Sequence, residues 1–309
     1  MGFLLWLPSF ISPPKAVFLF DTHPMPSYKL LREIIPVDSI FGTLFTFALV
    51  LIQGGMLVRL NTRFILINNR TYLPAFFFVL ITAAIPELQR LNPVIFSGFF
   101  LLLALEQMFE AYRHEKVAYG IFSASFCISL GATFYPFLIF YLFIVWTGLI
   151  ILRPFIWREW VFSIIGFILP WFFVFSWFYL VRNSSDAIYN EFALIFQSSF
   201  KFHYYSGITY AFGAFLLLLI VFASQFIIKE YTGKKILPRK AFLLFLWLFI
   251  NTIFVYILVA QASAELIFLG AIPVAYLLSN YFNFMKASLW GEIFLATLIL
   301  MVVLIQLNH

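Results

Sequence analysis

The sequence predicts an all-α fold, a polytopic bundle of transmembrane helices with ten or eleven spans. Three features lead there. Apolar residues make up 64% of the 309 and charged ones only 10%, where a soluble domain is about half apolar and about a quarter charged. The apolar residues come in long runs, and about twenty in a row cross the hydrocarbon as a helix. Those runs do not alternate: "FGAFLLLLIVFASQFII" has no period of two, which excludes a closed barrel built from alternating strands of about ten residues.

The segments follow in order. Residues 2–20 are apolar but carry Pro8, Pro13, Pro14 and Lys15, so they predict a first helix that is broken or truncated at its start. No basic residue precedes that apolar start, which disfavours a signal peptide. Spans are expected at 39–60, 71–86 and 93–112. Residues 117–152 form a run of 36, about 54 Å as one helix and too long for one crossing. Pro136 near its middle predicts a turn, giving 117–135 and 136–152. The remaining spans are 160–181, 205–228, 240–260, 262–283 and 289–307, with a turn at "AQASAE" between the ninth and tenth. The whole chain reads as a single integral-membrane domain, in which 1–181 is a core module, 182–204 a loop and 205–309 a set of more variable helices.

Charge orients the bundle. With this division, alternate loops hold thirteen Lys and Arg on one side and five on the other. That asymmetry follows the positive-inside rule. It puts the protein in the cytoplasmic membrane with loops 20–39 and 182–204 on the outer face. The basic residues are scattered between apolar runs, so the net charge of +6 does not point to nucleic acid. Cys127 is the only cysteine, which excludes an internal disulfide.

The two outer loops are the most polar outer segments. In "FDTHPMPSYKLLREIIPVDS" a carboxylate, Asp21 or Asp38, can act as a general base toward an acceptor hydroxyl. It can instead help to hold a divalent cation, for which oxygen ligands suffice. His23, Lys29 and Arg32 stand close by, and Arg grips a phosphate with two hydrogen bonds. The plainer reading is that "PSYKLLREI" is an amphipathic interfacial helix whose charges face water. The second loop offers Glu191, Lys201 and His203 among tyrosines, which anchor membrane surfaces or stack on a sugar.

Acids within spans are functional candidates by default. Glu106 and Glu110 share a helix face. Glu110 has Arg113 and His114 one turn away, which accounts for it locally; Glu106 is deeper, either a contact within the bundle or a proton site. Glu265 and Glu292 lie near helix ends, where water can reach them, and Asn251 is placed to bond between helices. Phosphate-loop, zinc-pair and nucleophile-elbow signatures are missing. The four histidines are too dispersed for a metal site.

Two resemblances add to this. "NNRTYLPAFFFVLITAAIPELQRLNPVIFSGFFLLLALEQMF" and "RPFIWREWVFSIIGFILPWFF" resemble an uncharacterised multi-pass family of Bacteroidetes. "FLLLALEQMFEAYRHEKVAYGIFSASFCISLGATFYPFLIFYLFIVWTGLI" is similar in rhythm to the GT-C superfamily, membrane glycosyltransferases that use polyprenyl-phosphate sugars. That likeness implies a catalytic acid in the first outer loop, at Asp21 or Asp38. It also implies that Arg90 and residues of 182–204 face the donor phosphate or the acceptor. Asp21 is followed by Thr22, where that superfamily commonly pairs two acids. The alternatives are a non-catalytic membrane subunit or assembly factor for envelope export, binding a protein partner, and a lipid or anion transporter with Glu106 and Arg90 in its path.

Overall fold

The computed structural model describes residues 2–12, 14, 18–37, 39–67, 69–113, 117–152, 155–182, 206–229, 235–259, 262–285 and 289–307. Those residues fold as helices joined by short turns, with no strand among them. The helices are α1 (Gly2–Ile11), α2 (Leu19–Thr22), α3 (Pro26–Ile34), α4 (Ile40–Phe64), α5 (Leu73–Thr82), α6 (Pro93–Arg113) and α7 (Val117–Ala132). They continue with α8 (Leu142–Leu152), α9 (Trp157–Arg182), α10 (Gly207–Lys229), α11 (Ile236–Leu258), α12 (Ile267–Met285) and α13 (Leu289–Leu307).

Among the described residues, seven helices are long and apolar enough to cross a membrane, and four more are apolar but shorter. A helix stands at each segment expected from the sequence. The expected break at Pro136 is real: α7 stops at Ala132 and a 3-10 turn, Pro136–Tyr141, leads into α8. The first helix contains Pro8 and stops at Ile11, ahead of Pro13 and Pro14. Prolines also open helices, at Pro26, Pro74 and Pro93, where the missing N–H costs nothing. Ser39 caps α4 by accepting the Gly42 N–H at 3.0 Å. Asn92 does the same for α6 through the Ile95 N–H at 3.1 Å.

Burial separates an inner layer from an outer one. The apolar stretch of α12 is 83% buried, whereas those of α9 and α13 are only 17% buried. Helix α12 is therefore the centre of the bundle, with Phe245 stacked on Tyr276 at 4.4 Å and the Tyr276 hydroxyl donating to Leu57 O at 2.7 Å. The exposed faces of α9 carry Phe172, Phe173 and Trp177, an apolar surface suited to lipid. Helix α9 touches the bundle through Gly166, where a Cβ would come within 2.5 Å of Phe122 O, so α7 and α9 pack backbone to backbone.

Hydrogen bonds collect the turns into two groups, one at each end. One end gathers α2, α3, residues 83–92, 133–136 and 263–266. The other gathers 59–69, 106–110, 152 and 240, together with Asn283.

Candidate functional site

The first group contains most of the chemistry. Residues 18–35 fold back over the bundle because His23-Pro24 and Met25-Pro26 favour extended backbone before each proline, ending α2 and starting α3. The flap is pinned at Ser27, whose hydroxyl donates to Thr133 Oγ1 at 2.8 Å, and at Tyr28, whose hydroxyl donates to Leu91 O at 3.0 Å. Helix α3 is the "PSYKLLREI" helix that the sequence indicates.

Asp21 sits at the centre of this flap. Its Oδ2 accepts the Phe18 N–H at 2.9 Å and pairs with the Arg90 guanidinium from the turn before α6. Arg90 is buried, stacked 5.7 Å from the Phe18 ring and 5.9 Å from the Phe20 ring, a desolvated cation–π arrangement. Arg32 reaches back from α3 to donate to Asp21 O at 3.0 Å. Asp21 Oδ1 is buried and accepts no hydrogen bond. Three expected site residues, Asp21, Arg32 and Arg90, thus come together, two of them bound to the third.

His23 lines a neighbouring cavity of about 10 Å³ with Glu265, Tyr135, Phe20, Met25 and Phe137, room for about one water molecule. Glu265 corrects the sequence reading. It was expected in water at a helix end, yet it is 1% exposed. The flap and the 133–137 turn cover it. Its Oε1 accepts the Tyr135 hydroxyl at 3.1 Å, and its other oxygen accepts from Ser263. An acid in the turn before an apolar helix was the available signal; its partner Tyr135 lies 130 residues away.

Glu106 belongs to the second group. Arg59 and Arg63 of α4 both donate to its Oε1, at 3.0 and 2.6 Å. Glu110 also pairs with Arg63 of α4; the side chains of Arg113 and His114, its expected local partners, lie outside the described residues. Glu106 is thus a contact within the bundle, at the opposite end from Arg90. Asn251 does not supply the expected interhelical bond through its Nδ2, which is buried and unpartnered. Its neighbour Thr252 does, accepting the Tyr141 hydroxyl at 2.9 Å.

Asp38, Glu191, Lys201 and His203 lie outside the described residues. No three His, Cys, Asp or Glu among the described residues assemble as a metal site. Asp21 Oδ2 is already taken by Arg90, and Asp38, the other acid of that loop expected to hold a cation, lies outside the described residues.

No curated protein and no solved structure matches the chain. A family model matches residues 34–309, a range that takes in Arg90, Tyr135 and Glu265 and starts after Asp21, His23 and Arg32. With that match over most of its length, the chain belongs to a family of unknown function, DUF6427.

Proposed function

We propose that the chain is a GT-C-like membrane glycosyltransferase. It takes a sugar from a polyprenyl-phosphate donor at the outer face of the cytoplasmic membrane, with Asp21 as general base. The observation that supports this is the two-sided state of the Asp21 carboxylate. Oδ2 is held by Arg90 and the Phe18 N–H, while Oδ1 is buried and unpartnered. An unmade buried acceptor costs about 1–3 kcal/mol, and such a group calls for an explanation such as a catalytic role.

In this reaction the acceptor hydroxyl gives its proton to Oδ1. Its oxygen bonds to the anomeric carbon, the bond from that carbon to the phosphate oxygen breaks, and polyprenyl phosphate leaves with the electron pair. A base so placed is worth about 10²–10⁴ in rate. Arg90 is the cation that meets the charge growing on the phosphate. The adjoining cavity holds about one water, so substrate entry requires the flap of residues 18–35 to lift.

A second reading is a non-catalytic membrane subunit. It is favoured by the way Asp21, Arg32 and Arg90 spend their hydrogen bonds inside the chain. Sugar transfer in proteoliposomes supplied with polyprenyl-phosphate sugars tests the two. The variants are Asp21→Asn and the double variant Asp21→Asn/Arg90→Met, which leaves no unpaired buried charge. The transferase reading expects loss of transfer in both, with the double variant still folded. A folded double variant with full transfer overturns it. A wild-type protein that neither transfers sugar nor retains polyprenyl phosphate in native mass spectrometry supports the subunit.

A further inference from the structure

Helix α3 and the far half of α9 enclose a groove of about 420 Å³ beside the flap. Its two walls differ in kind. The α9 wall is Phe173, Trp177 and Phe178; the α3 wall carries Lys29, Leu30 and Glu33. Helix α9 is one of the least buried membrane-length helices. Trp177 lies near its end and is 64% exposed, as is usual for tryptophan at a membrane–water boundary. On α3, Leu30 and Ile34 are also exposed, so this short helix presents apolar and charged groups together at that boundary. The groove thus runs from an apolar wall to a charged rim, the polarity order of an amphiphile.

The charges select the amphiphile. Lys29 and Glu33 both line the groove, one helical turn apart, and neither takes part in a salt bridge among the described residues. Lysine placed four residues before glutamate is the weaker order for a helical pair, which leaves both charges for a third party. A purely anionic headgroup would satisfy Lys29 and be repelled by Glu33. A headgroup with a phosphate and a primary ammonium a few atoms apart satisfies both.

We infer that this groove seats a zwitterionic ethanolamine phospholipid from the surrounding bilayer, its phosphate on Lys29, its ammonium on Glu33 and an acyl chain along Phe173 and Trp177. The ammonium gives Glu33 N–H donors, which a choline headgroup lacks, so ethanolamine is preferred over choline. The site does not depend on the transferase reading, because it uses none of Asp21, Arg90, His23 or Glu265.

The test is native mass spectrometry of the full chain released from bilayers of equal phosphatidylethanolamine, phosphatidylcholine and phosphatidylglycerol. The wild type is expected to retain phosphatidylethanolamine about two- to fivefold over either other lipid, the range that exposed ion pairs supply. Glu33→Gln should remove the advantage over phosphatidylcholine, and Glu33→Lys should turn the preference toward phosphatidylglycerol. Glu33 is exposed and is outside the buried cluster, so both variants should unfold at the wild-type temperature. Three results would overturn the inference. The first is retention in bulk proportion. The second is a wild-type preference for phosphatidylglycerol. The third is retention of phosphatidylethanolamine that neither Glu33 variant changes. Sugar transfer enters none of these readings, so failure here leaves the transferase question where it stood.

Discussion

The two ends of the bundle each carry an ion cluster, and they are built in opposite ways. At the flap end Arg90 is buried and Asp21 nearly so, with side-chain exposures of 5% and 12%. At the other end Glu106 is buried at 8%, but its partners Arg59 and Arg63 are 66% and 38% exposed. One cluster has two desolvated partners; the other has a buried acid served by two solvated bases. Loss of either partner in the first strands a buried charge. In the second, loss of one arginine leaves another in place. The first is suited to hold a loop shut in a single position, and the second to fasten α4 to α6 with redundancy.

The largest effect should come from breaking the first cluster. Asp21→Asn or Arg90→Met alone should cost about 3–5 kcal/mol, because an uncompensated buried charge remains. The double variant should cost less than the sum, and unfolding of all four proteins in one detergent gives the coupling directly. Additive costs would mean that the two side chains do not depend on each other, and the contrast between the ends would fail. A smaller loss is expected for Glu106→Gln. It removes charge-assisted hydrogen bonds from two arginines that water can still reach, so about 1.5–3 kcal/mol is expected, measured in the same way.

The two ends also differed in how far the sequence revealed them. Helix positions were legible throughout, since each depends on a local run of apolar residues and a nearby proline such as Pro136. Glu106 was legible as a buried acid by its depth in an apolar run, but its arginine partners lie 47 and 43 residues earlier. Asp21 and Arg90 were each singled out, yet as separate candidates. Their pairing depends on the flap folding across the bundle, a contact over 69 residues that no periodicity encodes. Glu265 was misread because a position near a helix end says nothing of a loop that will cover it. Likewise α12, far along the chain, is the most deeply enclosed of the membrane-length helices. Its mean hydropathy is the lowest of the seven, 1.4 against 2.1 for α13 at the lipid surface, yet both helices are apolar, because in lipid buried and exposed faces are both apolar.

The smallest effect sharpens the comparison most, because it isolates solvation. Arg59 makes a bond to Glu106 Oε1 of 3.0 Å, as orderly as many buried ones, yet its side chain is 66% exposed. Geometry alone would rank it beside Arg90. Solvation ranks it far below, since an exposed pair is worth about 0.2–1 kcal/mol and is screened by salt. Arg59→Ala should therefore cost no more than that at low ionic strength, and the difference from wild type should shrink as salt is added. The Asp21–Arg90 pair, shielded from ions, should keep its coupling over the same range. If Arg59→Ala costs as much as Arg90→Met and is equally indifferent to salt, the arginine end is as dry as the flap end. The opposition between the two clusters would then be one of sequence spacing only.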